Sequence, residues 1–240
     1  MNIALILAGG IGSRMHMGSL PKQYLMYEGK PIIDYCLQVF ERHSLIDKIV
    51  IVAEPTWQGF INEWLEKSKI NKFVSYASPG ITRQLSIYNG LKVINEFAKQ
   101  SDNVIVHDAA RPLVSDKIIT DCMNALESFD GAMPVLPATD TFYMSENGKS
   151  ITGLIDRSQL FAGQAPESFR LGKYLKAHES LTQEALEKIN GSSEIAYKTG
   201  LNIALVEGDV KNIKITTQDD LTKLKMYLQS MNNKVGRAHV

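Results

Sequence analysis

Short apolar runs alternate along this chain with longer stretches of helical periodicity, and this alternation constrains the fold more than any other feature. Runs of about five β-rich residues predict strands, which fall at Ile3–Ala8, Lys48–Ala53, Phe73–Ala77, Asn103–Asp108 and Ala132–Leu136. The intervening stretches predict helices at Ile32–Arg42, Thr56–Lys67, Arg83–Phe97 and Lys117–Phe129. Strands that alternate with helices form βαβ units. We therefore predict an α/β fold with a doubly wound, mostly parallel sheet, whose ligands bind at the carboxyl ends of the strands.

This regular alternation breaks after Pro137. Between 138 and 164 the pattern is weak and surrounds Asn147-Gly148, a dipeptide typical of two-residue hairpin turns, which predicts a projecting β-arm. Thr217 and Asp220 predict a capping box at the start of the last helix. The elements predicted between them are helices at Leu171–Leu181 and Gln183–Ile189 and a strand at Asn202–Val206. We predict a single domain over 1–231, with the arm at about 138–164, and a polar tail over 232–240.

The charges of the chain are balanced, with 26 basic and 26 acidic side chains among 240 residues. A chain without net charge has no overall field to attract nucleic acid or a membrane surface, so we predict neither as a partner. Cys36 and Cys122 lie far apart without metal-type spacing, which predicts reduced, buried thiols in a cytoplasmic protein. The first apolar run, Ile3–Ala8, is too short for a signal peptide or a bilayer span.

A glycine-rich loop follows the first predicted strand, and glycines at such a place let backbone N–H groups approach a phosphate. A Walker A loop would end in Gly-Lys-Ser/Thr, which is missing. A dinucleotide fingerprint needs a glycine three residues after Gly12, where Met15 stands, and a helix that begins there, whereas this loop runs on to Pro21. The segment Pro21-Lys22-Gln23-Tyr24-Leu25 favours a third interpretation, a nucleotidyltransferase loop in which Arg14 and Lys22 turn back onto a triphosphate. A glycine-rich turn with solvated basic side chains stays open as the alternative.

Further motifs follow this loop in a fixed order: Gly80-Ile81-Thr82-Arg83-Gln84-Leu85-Ser86, Val106-His107-Asp108-Ala109-Ala110-Arg111-Pro112, Asp140-Thr141, Asp156-Arg157 and Asn212-Ile213-Lys214-Ile215-Thr216. In order and spacing they resemble the cytidylyltransferases that act on 2-C-methyl-D-erythritol 4-phosphate and on ribitol 5-phosphate. The resemblance runs from Asn2 to about Leu228. It implies a Rossmann-like nucleotidyltransferase fold and the transfer of CMP from CTP to a polyol phosphate.

The chemistry of this reaction requires fixed positive charge. A phosphate oxygen of the acceptor attacks the α-phosphorus of CTP and pyrophosphate leaves, so two anions meet while charge builds on a crowded phosphorus. The resemblance implies that Arg14, Lys22 and Lys214 are the catalytic cations. It also implies that Mg²⁺ neutralises the leaving pyrophosphate, with Asp108 as a ligand of the ion, directly or through water.

The resemblance also assigns the binding residues. The expected nucleotide-binding residues are Leu7, Ala8, Gly9, Gly10, Gly12, Gly80, Arg83 and Ser86. The expected acceptor-binding residues are Asp108, Thr141, Arg157 and Ser192. Thr141 and Arg157 lie in the arm, which in the family reaches into a partner subunit, so the resemblance implies a homodimer through the arm. His107 and Arg111 are interpreted as a structural polar cluster around Asp108.

Some positions depart from the pattern of the family, and two of these departures lie in the acceptor region. Ala165-Pro166-Glu167 stands where Thr-Pro-Gln is usual, and Ser192-Ser193 stands where Thr-Asp is expected. The Gly9-Gly10 opening is more similar to the ribitol-phosphate branch. We therefore predict D-ribitol 5-phosphate as the acceptor, which makes the product a CDP-alditol precursor of cell-wall or capsule polymers.

Four alternatives stay open at this point. The first is a 2-C-methyl-D-erythritol 4-phosphate cytidylyltransferase of isoprenoid precursor synthesis. A sugar-1-phosphate nucleotidyltransferase would use another base and another acceptor pocket. A nicotinamide-dependent oxidoreductase is disfavoured by the missing third glycine. A non-catalytic nucleotide-binding regulator is disfavoured because Arg14, Lys22 and Lys214 are all present.

Overall fold

Helices cover both faces of a central sheet in this protein. The computed structural model describes the backbone of residues 1–10, 20–189 and 191–237, and the side chains of these residues as far as 230. The strands are β1 (Asn2–Leu7), β2 (Met26–Tyr27), β3 (Lys30–Pro31), β4 (Lys48–Val52), β5 (Phe73–Ala77), β6 (Asn103–Asp108), β7 (Gly131–Pro137), β8 (Phe142–Met144), β9 (Gly153–Ile155), β10 (Phe161–Gly163), β11 (Glu167–Arg170) and β12 (Ile203–Glu207). The helices are α1 (Ile32–Arg42), α2 (Pro55–Lys67), α3 (Arg83–Asn95), α4 (Asp116–Ala125), α5 (Leu171–Glu179), α6 (Gln183–Glu187), α7 (Ser192–Lys198) and α8 (Gln218–Arg237).

The main sheet has the strand order β10-β7-β11-β6-β1-β4-β5, and β12 pairs with β7. β1 pairs in parallel with β4 and β6, and β4 pairs in parallel with β5. β11 runs antiparallel to both β6 and β7, so β7 points in the same direction as β6. The five strands predicted between residues 3 and 136 therefore all run the same way. The predicted doubly wound, mostly parallel α/β sheet is confirmed.

The core forms two apolar layers, because the side chains of a strand alternate between the faces of the sheet. In β1, Ala4 and Ile6 pack into the layer under α1, α2 and α4, whereas Ile3 and Leu5 pack into the layer under α3, α5, α6 and α7. All four are fully buried. Full burial of one large aliphatic side chain stabilises a fold by roughly 1.5–3 kcal/mol, so this strand anchors both layers.

The two cysteines lie in or against this core. Cys36 and Cys122 are buried and unbridged, as the sequence predicted. Burial raises the pKa of both thiols, which suits an inert structural role.

Two elements next to the site were missed by the sequence interpretation, namely β11 and α7. β11 is short, and its residues Glu167, Ser168 and Phe169 are all buried, so it shows no alternation of polar and apolar side chains. Its strand conformation comes from pairing with β6 and β7 on both sides. α7 follows Gly191 and has only 7 residues, about two helical turns, which is too little for a clear pattern.

The arm is present, but its predicted details were partly wrong. β8 and β9 form an antiparallel hairpin of exposed residues. The loop between them spans 145–152 rather than two residues, because Asn147 accepts hydrogen bonds from the N–H groups of Lys149 and Ser150 and closes a local turn there. β10 pairs with β7 in the main sheet, so the projecting part ends before Phe161 and not at 164.

The last helix begins with the predicted capping box. The Asp220 N–H donates to Thr217 Oγ1 at 3.4 Å, and the Thr217 N–H donates to Asp220 Oδ2 at 2.9 Å. Leu224 is fully buried against Ile32 and Ile215, which ties α8 to the segment before it. The helix continues to Arg237, so its end does not coincide with the predicted domain boundary at 231. Among the helices of the described residues, none has the length and apolar character needed to cross a membrane.

Candidate active site

Two cavities open at the carboxyl ends of the parallel strands and meet at three charged side chains. The first has a volume of about 470 Å³ and the second about 680 Å³. Arg83, Asp108 and Lys214 line both of them. A molecule in the first cavity therefore meets a molecule in the second across a cluster of two cations and one carboxylate.

The first cavity lies between the loop after β1 and the loop after β5. These loops approach closely because of glycines: a Cβ atom at Gly9 would collide with Pro79, and one at Gly80 would lie 2.8 Å from the backbone carbon of Leu85. Gly80 is thereby packed against the first turn of α3. The residues that line the cavity are Leu7, Gly9, Gly10, Lys22, Gln23, Glu54, Pro79, Gly80, Ile81, Thr82, Arg83, Ser86, Asp108, Ala110 and Lys214.

The start of the loop after β1 is held in place by the segment around Lys22. Gln23 Nε2 donates to the carbonyl oxygens of Ala8 at 2.5 Å and Gly10 at 2.8 Å. Tyr24 Oη also donates to the Ala8 carbonyl, at 2.9 Å. Ala8 is buried and is not among the described residues that line the cavity; its carbonyl group holds Gln23 and Tyr24 in place. These bonds explain why the Pro-Lys-Gln-Tyr-Leu segment accompanies the glycine loop, since they bring Lys22 to the wall of the cavity.

The hydroxyl group of Ser86 holds the loop after β5. It donates to the Thr82 carbonyl at 2.9 Å and accepts from the Gly80 N–H at 3.0 Å. Ser86 also lines the first cavity. The described geometry thus assigns the hydroxyl a local role in shaping the loop, beside any contact with a ligand.

Asp108 is the centre of the charge cluster between the two cavities. Its Oδ1 lies 3.1 Å from Arg83 Nε, and its Oδ2 lies 2.8 Å from Lys214 Nζ. Arg111 Nε lies farther away, at 3.8 Å from Oδ2. Burial alone would raise the pKa of Asp108, but Arg83 and Lys214 hold it well below its ordinary value. The carboxylate is therefore ionised throughout the physiological range, and it orients both cations.

The segment that carries Lys214 has no regular secondary structure. Hydrogen bonds to the backbone carbonyl groups of two distant segments hold it in place. The Ile215 N–H donates to the Ala110 carbonyl at 2.8 Å. Asn212, which is fully buried, donates through Nδ2 to the Ala165 carbonyl at 2.7 Å. These contacts fix the chain on both sides of Lys214 and aim its side chain at Asp108.

The second cavity is bordered by β11, α7 and β12. Glu167, at the start of β11, accepts hydrogen bonds from Ser193 at the start of α7. Ser192 is fully buried, and its Oγ accepts from Arg83 Nη1 at 2.5 Å. The described residues that line this cavity include Ser193 but not Ser192, which was the predicted acceptor-binding residue. Ser192 instead contacts Arg83, which lines both cavities. The lining residues are Arg83, Asp108, Arg111, Met133, Gly163, Gln164, Ala165, Glu167, Gly191, Ser193, Glu194, Tyr197, Ile203, Leu205 and Lys214.

The remaining predicted site residues lie elsewhere. Thr141 and Arg157 are exposed on the arm, and Arg157 Nη1 donates to the Thr139 carbonyl at 3.2 Å. Among the described residues, those that line the two cavities include neither Thr141 nor Arg157. Gly12 and Arg14 lie outside the described residues.

The residues of the first cavity are compatible with a magnesium ion that is held mainly by its nucleotide. Within the described residues, no group of three or more His, Cys, Asp or Glu side chains forms a metal cluster. Mg²⁺ at nucleotide sites characteristically takes one or two carboxylates together with substrate phosphates. Asp108 and Glu54 are the carboxylates of this cavity.

Two buried histidines make the stability of the fold dependent on pH. Burial lowers the pKa of His107 to about 4, although its hydrogen bond to the Arg111 carbonyl opposes the shift. Burial likewise lowers the pKa of His178 to about 4, against its hydrogen bond to the Tyr174 carbonyl. Since the ordinary value is 6.5, the unfolded chain binds more protons than the folded chain below that pH.

We therefore expect the free energy of unfolding to include the full contribution of both histidines above about pH 6.5. It should fall as the pH drops toward about 4, by about 1.4 kcal/mol per pH unit for each histidine. Urea denaturation at several pH values between about 7.5 and about 5 measures the slope. His178→Gln should remove about half of it. A free energy of unfolding that is constant over this range would contradict the assignment of these neutral histidines.

Comparison with known proteins agrees with this geometry. Residues 2–230 match the family described as IspD, 2-C-methyl-D-erythritol 4-phosphate cytidylyltransferase. A relative from Vibrio parahaemolyticus serotype O3:K6, named ribitol-5-phosphate cytidylyltransferase, is 36% identical over 233 residues, which cover 97% of this chain and 98% of that protein. A relative from Clostridium acetobutylicum, named 2-C-methyl-D-erythritol 4-phosphate cytidylyltransferase, is 39% identical over 223 residues, which cover 92% of this chain and 94% of its own.

The fold is shared with solved structures of this class. The crystal structure of 4-diphosphocytidyl-2C-methyl-D-erythritol synthase from Anaerococcus prevotii superposes with a TM-score of 0.82 at 26% sequence identity. The match covers 95% of this chain and 96% of that chain. The sheet and its helices thus have the architecture of an α/β nucleotidyltransferase.

Proposed function

The chain belongs to the IspD family of CTP-dependent cytidylyltransferases, and from this premise we propose that it transfers CMP from CTP to D-ribitol 5-phosphate. The products are CDP-ribitol and pyrophosphate. One observation carries the proposal: the two cavities meet at Arg83, Asp108 and Lys214. This arrangement lets a donor and an acceptor, both anionic, approach each other at a cation.

In the proposed reaction, CTP occupies the first cavity. Its phosphates lie against the backbone of Gly9 and Gly10 and against Lys22 in this proposal. The role of Arg14 as a further phosphate-binding cation stays a prediction from the sequence. The acceptor phosphate enters from the second cavity and attacks the α-phosphorus near Lys214. Fixed cations stabilise the charge that develops there without any reorganisation during the step. Asp108 would hold a Mg²⁺ ion, directly or through water, and the ion would supply positive charge that neutralises the leaving pyrophosphate.

The nucleotide is proposed to be CTP because the first cavity suits a compact base that is read through the backbone. The small residues Gly9, Gly10 and Gly80 form part of its wall, and Ser86 holds the loop that contains Gly80. A pyrimidine placed there contacts backbone N–H and carbonyl groups. A purine would need more room between the loops after β1 and β5.

The acceptor is proposed from the polar wall of the second cavity. Glu167 and Glu194 supply carboxylate oxygens, Ser193 a hydroxyl group and Gln164 an amide. Hydroxyl groups of an unbranched polyol find partners among these carboxylates and the Ser193 hydroxyl group, whereas both amide atoms of Gln164 already bond to the backbone of residues 209–212. The relative from Vibrio parahaemolyticus bears the name of a ribitol-5-phosphate enzyme, which supports the same choice. The relative from Clostridium acetobutylicum is named for 2-C-methyl-D-erythritol 4-phosphate, so that compound is the alternative acceptor.

The enzyme is further proposed to be a homodimer joined by its arms. Phe142, Tyr143, Met144 and Leu154 are exposed on the hairpin of β8 and β9, and a two-stranded hairpin in water has little stability of its own. Thr141 and Arg157 lie on the same arm and contact neither cavity of the described subunit. A second copy whose cavities receive this arm would cover the apolar side chains and bring an arginine to the acceptor phosphate. We also propose a cytoplasmic location, which suits its unbridged thiols.

Pyrophosphate release with each of the four nucleoside triphosphates tests the donor, and two acceptors test the second substrate. We expect CTP with Mg²⁺ to support far faster turnover than ATP or GTP. Under saturating CTP, kcat/KM should favour ribitol 5-phosphate over 2-C-methylerythritol 4-phosphate by about tenfold, as one charge-assisted hydrogen bond would give. Faster turnover of ATP or GTP with a hexose 1-phosphate would refute the donor assignment. A tenfold preference for the branched acceptor would instead establish the alternative.

A further inference from the structure

The carboxylate of Glu167 lies in a corner of the second cavity, at the start of β11. Glu167 opens β11, which runs antiparallel to β6 and pairs with it through Val106. The first residue of this antiparallel strand therefore lies at the same edge of the sheet as Asp108, the last residue of β6. Glu167 is 6% exposed and contributes to the wall of the second cavity.

One oxygen of this carboxylate is fixed, and the other has no hydrogen bond in the described structure. Oε2 accepts from the backbone N–H of Ser193 at 2.8 Å and from Ser193 Oγ at 2.6 Å. Oε1 lies 3.7 Å from Arg83 Nη2, an ion-pair distance beyond that of a hydrogen bond. The carboxylate is thus held in orientation by one oxygen while the other can accept a hydrogen bond from a ligand.

The carboxylate of Glu167 and the hydroxyl group of Ser193 are in contact, although the two residues are 26 positions apart in the sequence. The negative charge of this corner of the cavity therefore comes from β11, and the first turn of α7 holds it in place.

We propose that Glu167 is a specificity-determining residue that binds a hydroxyl group of the polyol acceptor through Oε1. A carboxylate accepts hydrogen bonds from hydroxyl groups more strongly than a neutral amide does, because the acceptor is charged. Arg83 balances the buried charge, and Ser193 fixes its direction. The inference rests on the proposed function only in that a polyol phosphate occupies the second cavity.

Exchange of the acid for its amide tests this role. Glu167→Gln keeps the shape of the side chain, and under saturating CTP we expect it to lower kcat/KM for ribitol 5-phosphate by about tenfold or more, with KM for CTP changed by less than about twofold. The double variant Glu167→Gln with Ser193→Asp moves the negative charge from β11 to α7. It should recover most of the lost kcat/KM for ribitol 5-phosphate. Thermal unfolding shows whether each variant is folded. Should Glu167→Gln fail to fold, Ser193→Ala removes one anchor of the carboxylate and should show a smaller loss of the same kind.

Acceptor analogues identify the contact itself. Among monodeoxy derivatives of ribitol 5-phosphate, the one that lacks the recognised hydroxyl group should lose about tenfold in kcat/KM with the wild-type enzyme and less than about twofold with Glu167→Gln. Equal losses in both enzymes for every analogue would overturn the proposal. So would an unchanged kcat/KM in Glu167→Gln, or an equal rise of its KM for CTP, which would mean that Glu167 only positions Arg83.

The same measurements separate this inference from the proposed acceptor. Both enzymes are assayed with ribitol 5-phosphate and with 2-C-methylerythritol 4-phosphate. A wild-type enzyme that accepts only the branched substrate refutes the proposed acceptor, and the effect of Glu167→Gln on that substrate then decides the role of Glu167. A wild-type enzyme that turns over neither substrate refutes both proposals.

Discussion

Replacement of Lys214 by alanine is expected to lower kcat by about 10²-fold or more. Lys214 lines both cavities, and its ammonium group lies 2.8 Å from Asp108 Oδ2. Its charge thus stands where the donor and acceptor anions meet, and the charge on the reacting phosphorus is greatest in the transition state. Steady-state kinetics with both substrates saturating measures the effect.

A matched control separates this effect from a general loss of positive charge. Lys225 is exposed on α8, and Lys225→Ala removes the same side chain outside both cavities, so its kcat should stay within about twofold of the wild-type value. Lys22→Ala should resemble Lys214→Ala, since Lys22 lines the donor cavity. A change confined to KM in Lys214→Ala would show that this lysine acts in ground-state binding. Unfolding curves establish that the variants are folded.

From the proposed homodimer joined by its arms, we expect that a charged residue on the arm produces monomers with little activity. Leu154 is 71% exposed on β9, beside Phe142 and Tyr143 on the facing part of the hairpin. In a dimer these side chains would be covered, and a glutamate at this position would leave a charge in an apolar interface. Leu154→Glu should therefore sediment as a monomer at micromolar concentration, and kcat/KM for the acceptor should fall by about 10²-fold because Arg157 no longer reaches its phosphate.

The control for this variant is a similar exposed apolar side chain outside the arm. Met226 is 63% exposed on α8, and Met226→Glu should leave sedimentation and turnover unchanged. Deletion of residues 143–153 should have the same consequence as Leu154→Glu. The partner-subunit role of Thr141 and Arg157 fails if wild-type protein sediments as a monomer at working concentration and still turns over normally.

Local patterns in the sequence determined most of the fold and part of the site. The alternation of Ile3, Ala4, Leu5 and Ile6 places them in two layers, because successive side chains of any strand point to opposite faces. Asp108 could be assigned to the edge of the sheet because it ends a strand. The start of α8 was readable because Thr217 and its cap partner are three residues apart, a distance over which backbone geometry alone brings the groups together.

Contacts between distant segments were decided by the tertiary structure. Nothing near Ser192 in the sequence shows that its hydroxyl group accepts from Arg83, which is 109 positions away. Nothing near Glu167 shows that its strand pairs antiparallel between β6 and β7. The sequence therefore predicts that Ser192 binds the acceptor. In the structure Ser192 contacts Arg83, and Ser193 donates hydrogen bonds to the carboxylate of Glu167.

The division has a physical reason. Periodicity and caps report interactions within one element, and they are encoded in neighbouring residues, so the sequence by itself determined the βαβ order, the capping of α8 and the positions of Asp108 and Lys214 in their motifs. The pairing of β11, the contact of Glu167 with Ser193 and the meeting of two cavities at Lys214 arise only when elements from different parts of the chain pack on one sheet. No local pattern carries that information, and the tertiary structure alone decided it.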